Sequence, residues 1–246
     1  GIVRRLLASQ AALAAVEADW IAATVALLWT VHPLQTEAVT YTIQRAESLM
    51  GLLYLQTLYA FIRTTETPGS RLWPTWCLGA CVLGMMTKEV MVSAPVLLLL
   101  YDRTFVAGSF REAWRLRRGL YLRLALTWIP LGLLVASHGG NRGGSIGFGG
   151  SIGWWEHGLT QFEAVSRYLW LSFWPHPLVF DYGPQRITGA MDVVPYLVPV
   201  AAVAWFTVRG FWRRTALGFA GVWFFAILAP TSIIPGRRAS ISAARC

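Results

Sequence analysis

Three places along the 246-residue chain gather side chains able to do chemistry. The first is the stretch 32–47, HPLQTEAVTYTIQRAE, which sets His32, Gln35, Thr36, Glu37, Gln44, Arg45 and Glu47 between two apolar runs. Ionisable groups beside such runs are costly, so they mark either a binding site or a network that caps helix ends. The second is Thr87-Lys88-Glu89, again between apolar runs, where Lys88 is the one lysine among 21 basic residues. Lysine is a compact point charge that can meet a phosphate where a guanidinium does not fit, with Glu89 fixing its position or binding a neighbour. A self-satisfied Lys88–Glu89 pair at a helix boundary fits the same residues. The third is Trp174-Pro175-His176-Pro177 followed by Phe180-Asp181-Tyr182-Gly183. Its prolines and glycine make a turn, and His176, Asp181 and Tyr182 are the residue types of general acid and base work. No G-x-G-x-x-G, P-loop, G-x-S-x-G or H-E-x-x-H motif is present.

The elements that must position these groups follow from composition. The chain is 55% hydrophobic and 13% charged, with a mean hydropathy of +0.49, which points to lipid as its main solvent. Charge-free runs at 20–36, 48–62, 72–87, 90–101, 124–141, 193–208 and 215–236 predict an all-α polytopic membrane bundle of about seven transmembrane helices. Several runs fall short of the roughly 20 residues that cross a bilayer core and are completed by flanking residues and snorkelling arginines. His32-Pro33 ends the first helix, because the residue before proline is pushed out of the α region.

A net charge of +9 raises the question of nucleic acid, and the arrangement of the arginines argues against it. Basic residues collect in cytoplasmic connections of membrane proteins. With the N-terminal stretch, 63–71, 102–123 and 209–214 on the cytoplasmic side, that side holds 13 of the 21: Arg4, Arg5, Arg63, Arg71, Arg103, Arg111, Arg115, Arg117, Arg118, Arg123, Arg209, Arg213 and Arg214. The other side holds Arg45, Lys88, Arg142, Arg167 and Arg186, with three more in the tail. The run 159–174 would break this parity as a span, and it carries Glu163 and Arg167 near its middle. It reads instead as an amphipathic helix in the outer interface, with Tyr168, Trp170 and Trp174 at headgroup depth. The glycine-rich run 139–153 reads as an extracytoplasmic loop, either a linker or a segment that orders on substrate. Cys77 and Cys81 fall one helical turn apart in an apolar run and read as small core residues, with neither a disulfide framework nor a zinc site.

At the same three places the chain resembles a known family. The stretch 26–63, ALLWTVHPLQTEAVTYTIQRAESLMGLLYLQTLYAFIR, resembles the membrane region of bacterial tetratricopeptide-repeat proteins related to the TMTC O-mannosyltransferases of the GT-C superfamily. The family's H-P-x-x-T-E/Q-A-V stretch and R-A/M-x-x-L element are matched by His32, Pro33, Thr36, Glu37, Ala38, Val39, Arg45, Ala46 and Leu49. Thr87-Lys88-Glu89 and Leu98-Leu99-Leu100-Tyr101-Asp102 are similar to its S-K-E and L-L-Y-D elements. The likeness recurs at Arg167-Tyr168-Leu169, Trp174-Pro175, Asp181-Tyr182 and Leu228-Ala229-Pro230-Thr231-Ser232.

The resemblance implies a GT-C-like fold and transfer of a sugar from a polyprenyl-phosphate donor to a protein or glycan acceptor on the extracytoplasmic face. Lys88, Arg45 and Arg167 would contact the donor phosphate, and His32, Gln35, Glu37, Glu47, Glu89, His176, Asp181 and Tyr182 would shape the acceptor side. It implies no cofactor, no indicated metal and a place in a bacterial inner membrane, with membrane lipid as a partner and no nucleic acid. Residues 1–233 would be the transmembrane region, starting after the family's catalytic acidic residue and so inactive as this fragment, and 234–246 an unstructured or truncated tail in place of the repeat domain. The alternative is a non-catalytic membrane anchor for such a repeat domain. A transporter is disfavoured, since no paired broken helices recur in two halves.

Overall fold

The computed structural model describes residues 1–10, 15–35, 45–137, 154–176 and 190–233, and everything in them is helix, turn or coil. The helices are α1 (Ile2–Gln10), α2 (Ala15–Val31), α3 (Arg45–Glu66), α4 (Leu72–Thr87), α5 (Ala94–Tyr101), α6 (Phe110–Leu126), α7 (Trp128–Ser137), α8 (Trp154–Phe173), α9 (Ala190–Trp212) and α10 (Ala216–Ile233). A 3-10 turn, Glu89–Ser93, leads into α5, and a π turn, Asp102–Val106, follows it. As expected, α2 stops at Val31, immediately before His32-Pro33.

The single helix expected over 90–101 is divided instead. Lys88 is extended (φ −155°, ψ 149°), and Pro95 stands in the first turn of α5, with no N–H to offer a carbonyl four residues back. The chain therefore crosses from Lys88 to Tyr101 as a 3-10 turn and then two turns of α-helix.

A second difference lies in the arginine-rich connection. The span expected from residue 124 begins earlier, because α6 starts at Phe110 and runs into α7 with only Thr127 between them. Ser109 caps α6, its side chain accepting from the Glu112 amide at 3.2 Å, and Ala113, Tyr121 and Leu124 form its buried stripe. Arg117 departs from helical geometry inside α6 (φ −131°, ψ 23°) and bends it.

The core is centred on the α3–α4 hairpin. Leu58, Phe61, Cys77, Cys81, Met85, Met91, Leu97, Leu98 and Leu124 are all buried in one cluster, on which Phe219 and Trp223 of α10 pack. Cys77 and Cys81 are free thiols that touch Thr57 and Thr127 and serve as the small core residues expected. Small residues also set the approach of α9 and α10, as they do wherever helix backbones come close. A Cβ on Gly210 would lie 2.9 Å from the Gly218 Cα, and one on Gly218 would fall on the backbone of Gly210 and Phe211. Gly218→Ala is expected to cost about 1–3 kcal/mol by overpacking, read as a lower melting temperature in detergent. Gly79→Ala, where a Cβ meets open space, is the control and should be neutral or slightly stabilising.

Among the described residues two helical stretches are long and apolar enough to cross a membrane, Phe110–Ser137 and Met191–Trp212, and Leu72–Thr87 and Ala216–Pro230 are shorter apolar helices. Large apolar side chains face outward along α2, α7 and α9, among them Trp29, Leu133, Val198 and Phe206. The arginine-bearing segments meet at one end. Arg5 and Arg63 both reach Glu66, at 3.0 and 3.1 Å. At that end α1 packs on the Asp102–Val106 turn. The guanidinium of Arg103 donates to the Phe211 carbonyl at 2.9 Å and lies over the rings of Phe110, Phe211 and Trp212.

Candidate functional site

The break after α4 determines where Lys88 goes. Its amide closes the helix on the Gly84 carbonyl at 3.0 Å, while its extended backbone releases the side chain from the helix end. The ammonium ion-pairs with Glu47 in the first turn of α3, where the helix dipole favours a carboxylate. Two sequence-predicted residues 41 positions apart thus meet, in place of the adjacent Lys88–Glu89 pair that the sequence also allowed. Glu89 is buried at the start of the 3-10 turn. Burial pulls the Lys88 ammonium below its ordinary pKa, and the Glu89 carboxylate acts in the opposite sense.

Behind Lys88 the 3-10 turn is tied to α3. Ser93 donates its hydroxyl proton to the Val90 carbonyl at 2.8 Å, so the Tyr54 phenol is the donor in the 2.9 Å bond between Tyr54 and Ser93. Glu47, Met50, Gly51 and Tyr54 recur at i, i+3, i+4 and i+7 and share one face of α3. Below Glu47 that face lines an open apolar cavity of about 590 Å³, bordered by Ile2 and Leu6 of α1, by Val25 and Trp29 of α2 and by Trp223 of α10. An ionic pair one turn from an apolar cavity is an arrangement suited to an amphiphile with an anionic head and a hydrocarbon tail.

The remaining predicted residues fall elsewhere. His32 serves its own turn, Nδ1 accepting from the Leu34 amide at 3.3 Å and the carbonyl accepting from the Gln35 amide at 2.9 Å. That turn follows directly on Trp29, a wall of the cavity. Arg45 opens α3, exposed, on the same first turn as Glu47. Arg167 pairs with Glu163 one turn away on α8 at 2.7 Å. α8 packs on α9 through Leu159 and Val193, with Ser166 donating to the Tyr196 carbonyl. His176 is exposed just past α8. Glu37, Asp181 and Tyr182, with Thr36 and Gln44, lie outside the described residues. Among the described residues no three His, Cys, Asp or Glu side chains group as a metal site.

Sequence reasoning passed over a second polar centre, at the arginine-rich end. Asp102 is fully buried, both its oxygens accept from Arg117 at 2.8 Å, and the Tyr121 hydroxyl donates to it at 2.5 Å. The available signal was Arg117 and Tyr121 at i and i+4 on the buried stripe of α6.

Fold and site define a chain that is helical throughout its described elements, with outward apolar faces and an ionic pair set over an apolar cavity. Sequence comparison connects this architecture with the protein O-mannosyl-transferases. The chain is 31% identical to Protein O-mannosyl-transferase Tmtc3 of Drosophila melanogaster over 91 residues, 35% of this chain and 10% of that protein. It is 26% identical to Protein O-mannosyl-transferase tmtc2 of Xenopus laevis over 197 residues, 70% of this chain and 22% of that protein. The chain thus spans about a tenth and about a fifth of these relatives. No family model and no solved structure matches it.

Proposed function

We propose that this chain is the membrane core of a glycosyltransferase that takes a sugar from a polyprenyl-phosphate donor and passes it to a protein or glycan acceptor on the extracytoplasmic face. The observation that carries the reading is the Lys88–Glu47 pair over the cavity lined by Met50, Gly51 and Tyr54. The similarity to protein O-mannosyl-transferases supports the reaction class. In the transfer the acceptor hydroxyl attacks the anomeric carbon, the bond from that carbon to the phosphate oxygen breaks, and a carboxylate takes the hydroxyl proton. Lys88 meets the charge that develops on the leaving phosphate, with Arg45 close by in sequence to Glu47 and Arg167 a further contact. Glu37, Glu47 and Asp181 shape the acceptor side.

The same reading makes the chain a bundle of about seven spans in a bacterial inner membrane, with α8 in the outer interface and the arginine-rich end in the cytoplasm. The meeting of α1, the end of α3, the Asp102–Val106 turn and the α9–α10 turn at one end supports that sidedness. A second reading, an anchor for a tetratricopeptide-repeat domain, is favoured by one observation: Lys88 is already satisfied by Glu47.

Binding of a polyprenyl-phosphate sugar to the full-length protein separates the two. Lys88→Ala is expected to weaken donor binding at least tenfold and Arg45→Ala severalfold. Unchanged binding and transfer in both variants would sink the enzyme reading and leave the anchor.

A further inference from the structure

An arginine-rich helix that runs into an apolar one has its depth in a membrane fixed by that neighbour. Residues 119–137, the second part of α6 followed by α7, contain a single charge, Arg123. As helix they extend about 28 Å, close to the thickness of a bilayer's hydrocarbon core. Arg118 therefore stands at the edge of the core, and the bend at Arg117 lets the preceding turns lie along the surface. Those turns divide their arginines by direction. Arg117 turns inward to Asp102, whereas Arg111, Arg115 and Arg118 are exposed and, with Trp114, line an open cavity of about 470 Å³. Glu112 offsets part of the charge through its 2.6 Å pair with Arg115, and Arg111 and Arg118 make no ion pair among the described residues. Beside them Trp114 and Leu122 are about half exposed. A tryptophan among arginines at this depth is the composition of a helix seated in the headgroup region.

We infer that the exposed face of α6 binds an anionic phospholipid surface, Arg111, Arg115 and Arg118 meeting headgroup phosphates while Trp114 and Leu122 enter the acyl boundary. Each basic residue near such a surface is worth about fivefold in partitioning, an effect that salt weakens. The inference rests on the membrane reading above, and the two fail separately.

The test is native mass spectrometry of the detergent-purified full-length protein in equimolar phosphatidylglycerol and phosphatidylcholine. Phosphatidylglycerol adducts are expected to exceed phosphatidylcholine adducts at least fivefold in the natural protein. In Arg111→Gln/Arg115→Gln/Arg118→Gln the excess should fall below twofold, and in the corresponding triple lysine variant it should persist. Should the triple glutamine variant be polydisperse, Arg118→Gln alone should lower the ratio severalfold, towards the about fivefold worth of one basic residue. No excess in the natural protein, or an excess untouched by the glutamine changes, overturns the contact. A duplex-DNA mobility shift abolished by the same changes would assign the face to nucleic acid and also overturn it. Carbonate extraction of the protein from membranes would instead remove the membrane reading itself.

Discussion

Asp102→Asn is expected to cost about 3–5 kcal/mol, the penalty for leaving one partner of a buried ion pair uncompensated. The carboxylate is fully buried and holds three hydrogen bonds, two from Arg117 and one from Tyr121. An amide keeps the shape but removes the counter-charge, so the Arg117 guanidinium stays in place with a neutral acceptor. The effect extends beyond the pair because Arg117 is also where α6 bends, and Asp102 opens the π turn that joins α5 to α6. Thermal unfolding in detergent should show the loss, with a shift to aggregated material on size exclusion. Removing all three polar groups together, as Asp102→Leu/Arg117→Met/Tyr121→Phe, should recover most of it, since no buried charge or donor is then left without a partner. If the triple variant is no better than Asp102→Asn, the network is not what holds the turn.

This network also shows what the sequence could and could not convey. The residues 102–123 carry six arginines, which is why they read as a cytoplasmic connection rather than a helix that packs. Yet the Ser109-x-x-Glu112 cap and the apolar stripe at Ala113, Tyr121 and Leu124 were legible as a helix, and charge content outweighed periodicity in the reading. By contrast the end of α2 was fully written in His32-Pro33, because a proline acts on its immediate neighbour through local sterics. The division of 90–101 lay between these cases. Pro95 was visible, but whether an early proline starts a helix or breaks one depends on the extended Lys88 before it, which tertiary contact with α3 holds. At the site, the residue types of Lys88 and Glu47 marked them as candidates. Their pairing was not legible, since nothing local relates positions 41 apart. The cavity was invisible for the same reason: its walls come from α1, α2, α3 and α10.

Exchanging the charges of Lys88 and Glu47 separates the structural part of their pairing from the chemical part. Lys88→Glu alone sets two carboxylates against each other at the head of the cavity and should reduce both thermal stability and sugar transfer, the latter at least 100-fold if Lys88 meets the leaving phosphate. Adding Glu47→Lys restores opposite charges at the same two positions and should return much of the stability. It also moves the cation from the end of α4 to the first turn of α3, where the helix dipole disfavours it and where it approaches a bound phosphate from another direction. Transfer in proteoliposomes by the doubly exchanged protein should therefore stay at least tenfold below that of the natural protein even though the fold recovers. A pair that merely fastens α3 to α4 behaves differently: stability and transfer return together. Because the same two variants give opposite transfer results at equal stability, the comparison decides whether Lys88 is a phosphate ligand or a fastening, independently of which sugar the donor carries.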